Sequence, residues 1–181
     1  MEKNIEKELK LLINKEQFET LLSLYPFEPA IVQKNTYYDT EDQQLKQRNS
    51  AMRIRTIDHQ NYFTLKIRQS ENAHYEYEKE INVSCPQQIT DEQILQWCNQ
   101  FHIPLNINPI VTFKTQRFNY KTKEAIISAD ITSYENHIDY EVEYEYLVEH
   151  DGIHTFNQFL KPIGVEYKKN CSSKIARAMR N

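Results

Sequence analysis

A chain of 181 residues, 39% hydrophobic and 27% charged, is long enough for one packed domain, expected to span 1–181, and short for two. Its net charge of −4 gives no general attraction to nucleic acid or anionic lipid, so a polyanionic ligand needs a local basic cluster. Only Gly152 and Gly164 are glycine, which excludes the glycine-rich phosphate loop and the dinucleotide fingerprint; any phosphate must be gripped by side chains.

No apolar stretch approaches the length of a signal core or a membrane span, so a cytoplasmic protein without a membrane partner is expected. Cys85, Cys98 and Cys171 are odd in number and widely spaced, which suggests neither a disulfide framework nor a zinc site. The histidines show no paired spacing suited to zinc and are assigned no role.

Taken in chain order, the predicted elements are mostly strands. From Ile5 to Ile13, Glu6, Glu8 and Lys10 share one face, while Ile5, Lys7, Leu9 and Leu11 share the other. Asn14 is placed to cap a helix through Tyr25 with Phe18, Leu21 and Leu22 on one buried stripe. Arg53 and Arg55 then alternate with Met52 and Ile54, and Lys66 and Arg68 oppose Phe63, Leu65 and Ile67. Glu76, Glu78 and Glu80 alternate with Tyr75, Tyr77 and Lys79.

A second helix is predicted from a Thr90 cap through His102, burying Ile94, Leu95, Trp97, Cys98 and Phe101. Arg117 lies between Gln116 and Phe118, and Asp130 between Ala129 and Ile131. Glu141, Glu143 and Glu145 alternate with Tyr140, Val142, Tyr144 and Tyr146. A third helix is predicted from about Ile153 to Leu160, ended by Pro162, and a short fourth from Ser172 to Met179.

Most strands thus carry charge of one sign on one face. A sheet with one solvated face normally mixes neutral polar residues and both signs. Acidic residues repeated at period two repel one another unless cations face them, so segregation by strand points to pairing across an enclosed space. The class is α+β, mainly β, with helices covering the apolar face.

The ordered set Glu6-x-Glu8-x-Lys10, Tyr37-Tyr38-Asp39-Thr40, Arg53-x-Arg55, Thr64-Leu65-Lys66, Glu80, Arg117, Asp130, Glu141-x-Glu143 and Ser173-Lys174-x-x-Arg177 resembles the CYTH superfamily. These are the triphosphate tunnel metalloenzymes, which include class IV adenylate cyclases, thiamine triphosphatases and inorganic triphosphatases. The resemblance covers nearly the whole chain. It implies an eight-stranded antiparallel β-barrel, a charged tunnel with peripheral helices.

It further implies that Lys10, Arg53, Arg55, Lys66, Arg117, Lys174 and Arg177 bind the phosphates of a triphosphate-containing small molecule, with Lys10, Arg55, Lys66 and Lys174 closest to the chemistry. Glu6, Glu8 and Glu143, with Glu141 as the alternative to Glu143, look like ligands for Mg²⁺ or Mn²⁺. Glu80 and Asp130 would hold basic side chains in place or bind a second metal. Glu78 departs from the family pattern, standing where related members often carry a basic residue. The implied activity is metal-dependent triphosphate hydrolysis, with an adenylate cyclase or a non-catalytic binding module as alternatives; the tyrosine-rich strand surface leaves a monomer or homodimer open. Tyr37, Tyr38 and Tyr75 are left open between barrel wall and base-stacking platform.

Overall fold

The computed structural model describes residues 5–180. Eight strands form it: β1 (Ile5–Ile13), β2 (Ile31–Asp39), β3 (Ser50–Ile57), β4 (Gln60–Arg68), β5 (Ala73–Ile81), β6 (Asn108–Lys121), β7 (Ala125–Ser133) and β8 (Ile138–Tyr146). They close into a barrel in the order β1-β5-β4-β3-β2-β6-β7-β8, and every adjacent pair is antiparallel. The β1–β5 seam is short, pairing Ile5, Lys7 and Glu6 with Tyr75, Ala73 and His74. Closure joins β1 to both β5 and β8, in place of the two free edges of an open sheet.

The period-two pattern decides which face points where. Met52, Ile54, Phe63, Leu65, Ala129, Val142 and Tyr144 are all buried, and they lie on the outside of the barrel, under helices. One apolar cluster joins β1, β7 and β8 to helices α1 (Lys15–Leu24) and α4 (Gly152–Leu160) through Leu9, Phe18, Leu21, Phe156 and Leu160. A second joins β3, β4 and β5 to α2 (Gln44–Gln47) and α3 (Glu92–Gln100) through Leu45, Ile94, Trp97 and Cys98. Each such side chain contributes about 1.5–3 kcal/mol on leaving water, so the hydrophobic stability sits outside the barrel wall. The lumen is thereby released for polar residues.

Local chemistry accounts for the helix ends. Asn14 caps α1 in a reciprocal box with Gln17. For α3 the cap is Asp91, whose carboxylate accepts from the Gln93 and Ile94 N–H groups; Thr90, the expected cap, stands one residue too early. Asp151 caps α4 through the His154 N–H. Pro162 sits inside a 3-10 turn, Lys161–Ile163, that continues α4; proline lacks only an N–H that such a first turn leaves unused. The tail helix α5 (Lys174–Ala178) is capped by Ser173. Just before it, the Lys10 N–H donates to Asn170 Oδ1 at 2.8 Å and the Cys171 N–H donates to the Lys10 carbonyl at 3.1 Å. These bonds fix α5 relative to β1.

Candidate functional site

The side chains opposite the apolar faces converge inside the barrel. On the wall formed by β2, β3 and β6, Asn35 pairs with Arg55 and with Phe113, and Tyr37 pairs with Arg53. Arg53 donates through Nε to Thr64 Oγ1 and through Nη1 to the Tyr37 hydroxyl, both at 3.3 Å. Arg55 Nε donates to Asn35 Oδ1 at 3.1 Å. The nearest carboxylates to these guanidinium groups stand off, with Glu76 at 3.7 Å from Arg53 and Glu78 at 3.9 Å from both arginines. Arg53, Arg55, Arg117 and Lys174, with Gln33, Asn35, Tyr37, Phe113 and Thr115, enclose a pocket of about 20 Å³.

The opposite wall, from β7, β8 and β1, is acidic. Arg117 grips Asp130 with two parallel bonds of 2.9 and 2.6 Å and also bonds Glu143. Lys174 reaches in from α5 to Asp130 at 2.9 Å, to Glu143 at 2.7 Å and to Glu141. Lys10 bonds Glu8 at 2.6 Å and stands across from Glu143. At the β1–β5 seam, Lys66 bridges Glu6 and Glu76, both at 2.6 Å.

Electrostatics sets Arg55 apart from the other cations of the barrel. Burial disfavours every charge here, but for Lys10, Lys66, Arg117 and Lys174 the neighbouring carboxylates, and for Arg53 the Tyr37 hydroxyl followed by Glu76, outweigh it and hold their pKa values up. Arg55 behaves oppositely: burial, then Arg53 and Arg117, pull it down to about 10. It stays protonated at neutral pH and is short of anions. Among the acids, burial followed by Glu76 and Glu8 pushes Glu6 up to about 8 against the pull of Lys66. Burial and Glu143 likewise raise Glu141 despite Lys174, and burial raises Glu145.

An excess of buried carboxylates is what a hard divalent cation relieves. Asp130, Glu141 and Glu143 bring carboxylate oxygens within 4.8 Å of one another, a hard donor set that shares the Lys174 ammonium between them. The expected ligands fall into two groups bridged by Lys10. Glu141 and Glu143 sit with Asp130 around Lys174, while Glu8 lies on β1 beside Lys10, with Glu6 nearer Lys66.

Most of the predicted site residues are thus brought together, and two are placed differently. Glu80 is exposed at the end of β5, opposite Tyr62, and makes no ion pair among the described residues; Glu76 holds Lys66 and Arg53 instead. Arg177 is committed to the scaffold: it donates through Nε to Asp139 at 2.7 Å, forms an ion pair with Glu141 at 2.6 Å and donates to the Ser172 carbonyl. It fastens α5 to β8 rather than presenting a free fork to phosphate. Asp139 was not singled out, and no local signal marks it. Asp39 and Thr40 cap α2, with Asp39 accepting from the Leu45 and Lys46 N–H groups and Thr40 from that of Gln44. Of the three tyrosines, Tyr37 faces inward, stacked on Phe113, whereas Tyr38 and Tyr75 pack with the outer cluster.

The family model for the CYTH domain matches residues 4–178 of this chain. YjbK of Bacillus subtilis (strain 168), by name a candidate triphosphatase, is 26% identical over 98% of this chain and 95% of its own length. Among solved structures, a candidate adenylate cyclase from Bacillus halodurans superposes with a TM-score of 0.83 at 28% identity, covering 98% of both chains. The Hippeastrum protein HpAC1, a candidate adenylyl cyclase with a dominant triphosphatase activity, superposes with a TM-score of 0.78 at 24% identity, over 97% of this chain and 94% of that one. The last likeness concerns the fold.

Proposed function

Since this chain belongs to the CYTH domain family, we propose that it hydrolyses a triphosphate inside its barrel with the help of a divalent metal, inorganic triphosphate ahead of thiamine triphosphate and nucleotides. The observation that carries this reading is the segregated lumen. One wall holds Arg53 and Arg55, whose nearest carboxylates stand at 3.7 and 3.9 Å; the other holds buried carboxylates clustered around Lys174, Arg117, Lys10 and Lys66.

A triphosphate carries about four negative charges at neutral pH. Arg53 and Arg55, held in place by Thr64, Tyr37 and Asn35, have their nearest carboxylates at 3.7 and 3.9 Å and can exchange those longer contacts for phosphate oxygens. Arg117 and Lys174 are oriented by Asp130 and Glu143 and complete the basic side. Lys10 and Lys66 stand along β1 and β4, where a second phosphate would lie. Glu8, Glu143 and Glu6, with Glu141 and Asp130 adjacent, would hold Mg²⁺ or Mn²⁺, which when bound neutralises phosphate charge as a Lewis acid. The protein's own share is positioning: rigid strands hold donors in a water-poor space where charge stabilisation is strong. No described helix is long and apolar enough to cross a membrane.

The test is to incubate purified protein with inorganic triphosphate, thiamine triphosphate and ATP, each with Mg²⁺ or Mn²⁺, and to identify the products. Phosphate release is expected, fastest from inorganic triphosphate. Cyclic AMP and diphosphate from ATP would instead make the chain a cyclase. Tight binding without product after long incubation would make it a binding module.

A further inference from the structure

The small pocket on the basic wall holds a group that neither the ion pairs nor the phosphate-binding reading uses. Gln33 is 4% exposed, and its Oε1 is buried without a hydrogen-bond partner among the described residues. It faces the pocket shared with Arg53, Arg55 and Arg117. A buried acceptor left unpaired costs about 1–3 kcal/mol, so something bound there is expected to donate to it.

The neighbouring polar groups do not. Asn35 Oδ1 is taken by Arg55 Nε, Thr115 Oγ1 shares a 3.2 Å bond with Thr132 Oγ1, and Arg117 is turned to Asp130 and Glu143. An ionised phosphate oxygen, being an acceptor itself, would repel Oε1. A metal ion is disfavoured by the arginines around it. The pocket volume of about 20 Å³ is enough for one water. A water can donate one proton to Gln33, donate the other to a phosphate oxygen, and keep a lone pair for phosphorus.

We infer that Gln33 is the positioning residue for the attacking water, held in this cell beside the terminal phosphoryl group; the inference rests on the hydrolase reading above. The water oxygen bonds to the terminal phosphorus, and the bond to the bridging oxygen breaks with its electron pair leaving on diphosphate. One water proton stays on the new phosphate and the other passes to an oxygen of the departing diphosphate. No oxidant or further reactant enters. Catalysis by such a residue is alignment, as in other phosphoryl transfers where an amide orients the water.

Gln33→Leu and Gln33→Ala test this with inorganic triphosphate and metal, beside wild type. Both variants are expected to lose about 10- to 100-fold in kcat while KM stays within about threefold. Gln33→Ala enlarges the cell, so in the presence of methanol it is expected to yield a larger share of methyl phosphate than wild type. Unchanged kcat in both variants overturns the inference, and so does a raised KM at constant kcat, which would make Gln33 a phosphate ligand. An active wild type with unaffected variants sinks this inference alone. A wild type inactive on every triphosphate sinks the hydrolase reading and the inference together.

Discussion

Asp130→Asn removes the anion on which the basic wall is hung while leaving side-chain volume almost unchanged. Asp130 is fully buried and touches Arg117 twice and Lys174 once. Removing one partner of a buried pair outright costs about 3–5 kcal/mol. Here the amide still offers one acceptor, and Glu143 and Glu141 continue to hold the two cations, so about 2–3 kcal/mol is the expected loss. Equilibrium urea unfolding in EDTA at pH 7.5, with unchanged m-value, measures it. Burial alone would raise the Asp130 pKa, but Arg117 and Lys174 outweigh it and hold the carboxyl below its usual 3.8. The folded value being depressed, this stability is present above the unfolded pKa and is lost as pH falls through the folded one. The gap between wild type and variant should therefore stay constant from about pH 5 to 8 and close below about pH 4. A loss under about 0.5 kcal/mol at pH 7.5, or a gap that widens in acid, would refute the reasoning.

Glu8→Gln keeps the shape of the side chain beside Lys10 but removes a hard anionic donor, so metal-dependent turnover should fall by more than about 100-fold with cooperative unfolding retained. Full activity would remove Glu8 from the metal site. Arg55→Met should raise KM for triphosphate by about 10- to 100-fold, the worth of a charge-assisted bond, with a stability loss in urea of no more than about 1–2 kcal/mol, because the Asn35 Oδ1 left without its donor is partly offset by Arg53 and Arg117 losing a like-charged neighbour; an unchanged KM would remove Arg55 from the phosphate site. At Gly152 an added Cβ would meet the Tyr146 ring at 2.3 Å. Gly152→Ala should therefore destabilise by about 1–2 kcal/mol despite alanine's better helix propensity, as read by urea unfolding, and a more stable variant would contradict this contact.

The charged stripes were legible because a strand's period of two sorts side chains without any knowledge of pairing. Which face points inward followed from the family resemblance, and the barrel bears it out. Glu76 and Glu80 could not be told apart in sequence, since three glutamates at period two are equivalent until register sets Lys66 opposite Glu76 and Tyr62 opposite Glu80. The resemblance implied Arg177 as a phosphate ligand, and its partners Asp139 and Glu141, on a strand distant in sequence, became visible only in the fold. The α3 cap was missed by one residue because Thr90 and Asp91 are both competent and the nearby Lys79 ammonium favours the carboxylate. Gln33 gave no signal at all, for a neutral amide in a strand becomes informative only when its unpaired oxygen and the pocket in front of it are visible.

The most direct test is a calorimetric titration of inorganic triphosphate into the protein, once in EDTA and once with saturating Mn²⁺. With acidic side chains in excess inside the barrel, binding should be at least about 100-fold tighter with metal, or ~2.7 kcal/mol. Equal or tighter binding in EDTA would contradict a lumen that needs a divalent cation to accept its polyanion.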